Sequence, residues 1–368
     1  MNYLDSSAPG GISKVVSELE KGLTGLGHRV RAIQPENPRE PTTGEYYGFR
    51  ESGAFRRVGF HHLHLGDISS ISVQVRRFKP EIINIHGSRT FLSPWAVWRL
   101  KQIFPDIPLI FSPHHDSQSG ETFSGKYFFW AHKASLLRAA YRSADAITVC
   151  SEFERREVSS CFSGGENKIF TIPNGIDEVR ASETPIVERE KRIISAGYLF
   201  ELKGVNHTIG ALKELHERGE SEWKLTVCGE GPHMKKLQKI STNLGISEHV
   251  EWKGFVSREE LISLINSSRV ATLVSRSENF GIFAAECLSL GVPTIVTDVT
   301  ALSEFGWIDW CYKIPYPVDS SVLADCIVQA SSSKTTAIVN QGNIQSWNNV
   351  AANMSRILEK VAGLGAAN

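Results

Sequence analysis

Two glutamates, Glu278 and Glu286, stand eight residues apart in the run Ser-Glu-Asn-Phe-Gly-Ile-Phe-Ala-Ala-Glu, residues 277–286, around a glycine that can open a helix. Residues 270–274, Val-Ala-Thr-Leu-Val, read as a short buried strand, and residues 282–290 carry helical spacing that stops at Gly291-Val292-Pro293. The order is strand, polar loop, helix. At 3.6 residues per turn, an eight-residue interval does not align two side chains on one helix face, so Glu278 acts from the loop and Glu286 from inside the helix. The two carboxylates then meet different parts of one elongated ligand. The amides near Asn279 to Ile282 lie at the positive end of the helix dipole, which favours phosphate there. A ligand carrying a diphosphate fits this pattern.

The elements around this run must hold it in place. At 368 residues the chain exceeds what one hydrophobic core usually supports, and its hydrophobic fraction of 41% suits a folded protein. After residues 2–5, a glycine loop at Gly10-Gly11 leads into an amphipathic run with Val15, Val16, Leu19, Leu23 and Leu26. Residues 30–33 begin another strand, which gives β-α-β. Further strands are expected at 82–86, 109–112 and 146–150, alternating with helical patterns. Residues 176–192 turn polar, charged and proline-containing, as an interdomain linker does. A second α/β series follows, with strands at 192–196, 224–228, 249–252, 270–274 and 294–297. The predicted plan is an N-terminal domain over 1–176, a linker over 177–191 and a C-terminal domain over 192–346. Residues 347–368 carry a last helix, expected over 347–361, that could pack back on the N-terminal domain.

Charge and cysteine usage narrow the function. Forty basic residues balance forty acidic ones, so nothing suggests nucleic acid as a partner. The first 175 residues carry a small basic excess, which weakly favours anionic acceptors or lipid on that side. Six scattered cysteines show no metal-ligand spacing, as in a reduced cytosolic chain. No charged-then-apolar leader and no run of about 18 to 20 apolar residues is found, so the expectation is a cytoplasmic protein, peripheral at most at the inner face of the membrane. His61, His62 and His64 with Asp67 fit no strong zinc pattern.

Gly10-Gly11, Pro173-Asn174-Gly175, Leu202-Lys203-Gly204 and the 278–286 run together resemble glycosyltransferase family 4 (group 1), retaining enzymes of the GT-B fold. The resemblance covers essentially the whole chain in the expected order. It implies an α/β fold of two facing Rossmann-like domains with an interdomain cleft. A nucleotide diphosphate sugar would lie mostly on the C-terminal domain, and a glycan or lipid-linked acceptor would enter from the N-terminal one. No cofactor and no metal are implied, the nucleotide sugar being a co-substrate.

Carried over residue by residue, the resemblance assigns Glu286 to the ribose hydroxyls, each charge-assisted hydrogen bond being worth about 1.5 to 3 kcal/mol. Glu278 would contact hydroxyls of the transferred sugar, and Lys203 would stabilise charge on the departing diphosphate. Asn279, Phe280, Gly281 and Ile282 would present backbone to sugar or phosphates, though Phe280 suits core packing as well. Gly10 and Gly11 would let amides approach the diphosphate. Gly229, in Gly229-Glu230-Gly231-Pro232, matches a loop near the nucleotide. Phe255 and Val256 are candidates for backbone contacts to the base, with core packing of Phe255 equally open. His114, in residues 112–116, matches the position of an active-site histidine. His115 and Arg89 are acceptor candidates. The chain departs from the family pattern at Tyr198, where an arginine usually follows the glycine matched to Gly197; a tyrosine hydroxyl brings no positive charge and no bidentate fork.

Residues 123–142 form a basic, aromatic amphipathic segment, read first as a core helix and second as a membrane-facing surface. The function implied is transfer of a hexose-type sugar from a UDP- or GDP-linked donor to a hydroxyl of a growing glycan, with retention. The rival readings are a nucleotide-sugar epimerase and a catalytically silent binding protein.

Overall fold

The computed structural model of the chain describes residues 11–35, 47–49, 67–88, 92–114, 126–161, 165–179, 181 and 186–363. Backbone proximity divides it into two units, Met1–Gly175 with Trp347–Asn368, and Ile176–Ser346. The strand expected at residues 2–5 and the histidines at 61, 62 and 64 lie outside the described residues.

The first unit opens with helix α1 (Gly11–Gly25), whose Val15, Leu19 and Leu23 recur every four residues and are buried. Strands β1 (Ile33–Pro35) and β2 (Tyr47–Phe49) form a separate parallel pair. Helix α2 (Asp67–Phe78), β3 (Ile83–His86), α3 (Leu92–Ile103), β4 (Leu109–Ser112), α4 (Lys126–Ser143), β5 (Ala146–Val149), α5 (Glu152–Cys161) and β6 (Ile169–Thr171) complete its α/β series. Strands β3-β4-β5-β6 form one parallel sheet, and β4 and β5 are buried along their whole length. Burial on both faces explains why these strands read as continuous apolar runs. Ile85, Leu100, Phe111, Tyr141 and Ile147 fill the core. The segment expected at 123–142 is helical as α4 from Lys126, and the part whose side chains are described puts Leu137, Ala140 and Tyr141 in that core.

Strand β7 (Gly175–Ile176) leads into the second unit. Its series is β8 (Glu190–Ala196), α6 (Val205–Glu217), β9 (Lys224–Cys228), α7 (Met234–Asn243), β10 (Val250–Gly254), α8 (Arg258–Ser267), β11 (Ser268–Leu273), α9 (Ile282–Ser289), β12 (Thr294–Thr297), β13 (Cys311–Ile314) and α10 (Ser320–Ala330). After β14 (Gln345–Ser346), helix α11 (Trp347–Val361) lies along α1 in the first unit. The six-stranded sheet has the order β10-β9-β8-β11-β12-β13, parallel throughout.

Residues 177–191, expected as a linker, belong to the second unit, and Glu190 and Lys191 already open β8, Glu190 in register with Ser268 of β11. The polar signal misleads there because the strand enters from solvent, where Lys191 pairs with Glu220 and Glu222. Strands β6 and β13 carry no expectation from the sequence, being three and four residues long with mixed polarity.

Candidate active site

In the second unit the chain winds outward from β8 to β10 on one side and from β11 to β13 on the other. The loops leaving the carboxyl ends of β8 and β11 therefore diverge, and such a switch point opens a crevice in a parallel sheet. Lys203 lies on the first loop and Glu278 on the second.

Backbone approach brings the two loops together. Gly204 has φ +72, and a Cβ on it would come within 2.1 Å of the Val274 carbonyl oxygen. Only glycine permits that contact and that conformation without strain. The Arg276 amide donates to the Leu202 carbonyl at 2.7 Å, closing the second side of the junction. Lys203 Nζ consequently reaches Glu278 Oε1 at 2.5 Å, with side-chain exposures of 24% and 13%. Ser275 Oγ donates to the same oxygen at 2.8 Å, and the Glu278 amide donates to Thr300 Oγ1 at 3.1 Å. Glu278 is thus fixed through both side chain and backbone.

Helix α9 begins just beyond. Its N-cap, Gly281, is left-handed at φ +92, and a Cβ there would meet Leu302 Cδ2 at 2.6 Å. The first-turn amides of any α-helix have no intrahelical carbonyl to bond, so the turn from Ile282 offers donors to an anion. The Phe280 side chain is buried and meets Phe305 edge-on, with ring centroids 5.5 Å apart. Its ring is a core group, leaving only its backbone for a ligand. Asn279 and Ile282 are half-buried. Glu286 is buried among Phe283, Ala284, Ala285, Cys287 and Leu288. Arg258 Nη1 meets its Oε1 at 2.9 Å, and Arg258 Nε donates to Asp177 Oδ2 at 2.6 Å. Burial works against the Arg258 charge, but Glu286 and then Asp177 more than offset it, holding the guanidinium above its ordinary pKa.

The remaining loops of this sheet edge are tied side by side. The Leu199 amide donates to Glu230 O at 2.8 Å and the Gly229 amide to Gly254 O at 2.6 Å. Tyr198, 38% exposed, packs its ring on Phe200 at 4.6 Å. Phe255 is 45% exposed, which removes the core-packing reading for it, and Val256 is half-buried. Cys228 ends β9 beside these loops, and burial pushes its thiol up to about 11. It is a protonated, inert group at neutral pH.

In the first unit, His114 follows β4 with φ +47, and its Nε2 lies 3.1 Å from Nδ1 of His86 at the end of the neighbouring β3. The rings stack with centroids 5.4 Å apart. Burial first, then His114, holds the His86 ring well below the usual histidine value. Beneath the pair, Ser112 Oγ lies 2.5 Å from Thr148 Oγ1 and donates to Asn84 Oδ1 at 3.1 Å. Gly11 is the first residue of α1 and is exposed. Gly10, Arg89 and His115 lie outside the described residues.

Lys203, Glu278 and the α9 N-terminus are therefore gathered at one switch point, with Glu286 about one turn into that helix. Sequence reasoning missed Arg258, Asp177 and the partnership of His86. Ser257-x-x-Glu260 is a helix-start signature, and the Glu260 amide does donate to Ser257 Oγ at 3.1 Å, which places Arg258 on the first turn of α8. No local signal reveals its contacts with residues 28 and 81 positions away.

Residues 177–305 match the family model described as glycosyl transferases group 1, and residues 9–180 match that of glycosyltransferase family 4. An uncharacterised glycosyltransferase of Methanocaldococcus jannaschii is 31% identical over 179 residues, 45% of this chain and 45% of the relative. The chain spans about half the length of the curated relatives it matches. Sucrose-phosphate synthase from Thermosynechococcus elongatus is similar with a TM-score of 0.78 and 17% identity, over 97% of this chain and 94% of that one. HepE of Anabaena, solved in complex with UDP-glucose, has a TM-score of 0.69 and 16% identity, over 97% and 96%. At these identities the likeness is one of fold, the two-domain GT-B fold built on parallel α/β sheets.

Proposed function

Because the chain belongs to the family 4, group 1 glycosyltransferases, we propose that it moves a hexose-type sugar from a UDP- or GDP-linked donor to a hydroxyl of a growing glycan, with retention of configuration. The observation that carries the reading is the Lys203–Glu278 pair held at the switch point beside the start of α9. Before donor arrives, each of these part-buried charges compensates the other. On binding, the diphosphate takes the lysine and the sugar hydroxyls take the carboxylate, so one charged contact is exchanged for two ligand contacts. Glu286 holds the ribose from the same helix. The carbon–oxygen bond to the diphosphate breaks as the acceptor oxygen attacks from the same face, and the departing phosphate oxygen receives the acceptor's proton. Lys203 and the α9 amides stabilise the charge that develops on the leaving group. His114 is the hydrogen-bonding group for the sugar on the first unit.

The reaction is proposed to need no metal, and EDTA should leave turnover unchanged. It is proposed to run in the cytoplasm, at the inner face of the membrane when the acceptor is lipid-linked. No helix among the described residues is long and apolar enough to cross a membrane. The silent-binding reading has one observation in its favour, the uncharged Tyr198 turned onto Phe200.

A thermal-shift screen of UDP- and GDP-sugars tests the proposal. A ligand that binds only the folded protein raises Tm by mass action, and Glu286→Ala should diminish the shift. An undiminished shift removes the ribose role of Glu286. Nucleoside diphosphate released only with acceptor present identifies transfer, whereas donor conversion without acceptor identifies epimerisation.

A further inference from the structure

Glu286 is an odd residue to find where it is. Its helix is buried on every side, and its own side chain is only 6% exposed. A carboxylate in such surroundings needs a counter-charge and a fixed direction. Both come from residues distant in sequence. Arg258 supplies Nη1 to Glu286 Oε1 at 2.9 Å while its Nε donates to Asp177 Oδ2 at 2.6 Å. The base of this arm is fixed as well, because Arg258 is the first residue of α8, set by the Ser257 cap.

The division of the guanidinium between two carboxylates matters. A guanidinium free to turn meets a carboxylate edge-on, two nitrogens against two oxygens. With Nε held by Asp177, Arg258 reaches Glu286 through Nη1. We infer that Arg258, tethered by Asp177, is a positioning residue that aims the Glu286 carboxylate at the two ribose hydroxyls of the donor nucleotide. This rests on the reading of Glu286 as the ribose-binding group. Asp177 then sets how well the enzyme distinguishes a ribonucleotide from a deoxyribonucleotide, although it need not touch the ligand.

The experiment is calorimetric binding of UDP and GDP against 2′-deoxy-UDP and 2′-deoxy-GDP to the full chain. Wild type, Glu286→Gln, Arg258→Met, Arg258→Lys and Asp177→Asn are compared. The ratio of ribo to deoxy affinity is the readout, since a general loss of folding or of phosphate binding lowers both ligands alike. Wild type should prefer the ribonucleotide by about ten- to a hundredfold, the span of one charge-assisted hydrogen bond. Arg258→Met should collapse that ratio to near one, and Asp177→Asn should lower it in part. Arg258→Lys keeps the charge without the fork and should fall between. An unchanged ratio in Arg258→Met overturns the inference. If that variant does not fold, an unchanged ratio in both Arg258→Lys and Asp177→Asn overturns it. A wild type that makes no distinction between the ligands, or a Glu286→Gln that keeps the full ratio, instead overturns the ribose reading beneath it.

Discussion

The two units end their sheets in different chemistry. At the carboxyl edge of β3 and β4, two histidine rings face each other above Ser112, Thr148 and Asn84. In the second unit, Lys203 with Glu278 on the loops after β8 and β11, and Arg258 of α8 with Asp177 and Glu286, form two ion-paired groups. Hydroxyl and amide groups beside a His86 ring that burial keeps neutral suit a polyol, which presents hydroxyls and no charge. Ion pairs that can exchange partners suit a diphosphate, which must be met by positive charge at low cost in solvation. One parallel α/β architecture thus carries two recognition strategies, and the side chains just past the strand ends decide which.

The largest expected effect tests this division. Lys203→Ala should lower kcat about a hundred- to a thousandfold, the usual cost of losing one group that stabilises developing charge. His114→Ala should cost only about fivefold, one hydrogen bond being worth roughly 1 kcal/mol. Release of nucleoside diphosphate in the presence of acceptor measures both. Lys203→Ala and Glu278→Gln should also couple in a double-mutant cycle, since they share one contact. Equal losses at Lys203 and His114, or strict additivity of Lys203 and Glu278, would erase the contrast.

The units should also answer differently to acid. Burial and His114 keep the folded pKa of His86 well below its ordinary 6.5. Between those two values the unfolded chain binds more protons, so stability is full above about pH 6.5 and is lost as pH falls toward the folded pKa. In the second unit burial lowers His207 as well, though less far than His86. The carboxylates there are governed by lysines, Lys253 holding Glu251 low and Lys191 holding Glu220 low. Those contributions are present above the ordinary carboxyl value of 4.5 and are lost only as pH falls through that range. Hydrogen exchange of the full chain between pH 7 and 5 should therefore show β3 to β5 losing protection before β8 to β12. His86→Gln should flatten the early loss. The same slope in that variant would mean the histidine pair is not its source.

Much of this was legible in residues 277–286. A glycine between a buried apolar strand and a helical run can hardly be anything but a strand-to-helix turn, and Gly281 and α9 fall there. Strand β4 was equally legible because four consecutive apolar or small residues are bounded by Pro108 and Pro113. Two kinds of information were hidden. Short strands such as β6 have too few residues for a period, and pairing with β5 makes them strands. Long-range charge contacts such as Arg258 with Asp177 and Glu286 depend on which loops the sheet order brings together. Sequence spacing therefore points to Glu286 and is silent about its partner.

The smallest expected effect concerns Tyr198, an uncharged residue at the position where the family resemblance implies an arginine. The residue is more than a third exposed and packs on Phe200, so an arginine can stand there without displacing core atoms. Tyr198→Arg should add one charge-assisted donor near the phosphates and lower donor KM about threefold to tenfold, with little change in kcat. Arg276 supplies the alternative. Its amide is bonded to Leu202 beside Lys203, and after Lys236 and His233 its charge helps hold the Glu201 carboxyl below its ordinary value. A guanidinium already facing that turn can serve the diphosphate in place of the missing one. If Tyr198→Arg leaves KM unchanged in the wild-type background but restores it in Arg276→Ala, the charge has moved one loop along the sheet edge. The second unit then meets its diphosphate with a full set of cations drawn from different strands.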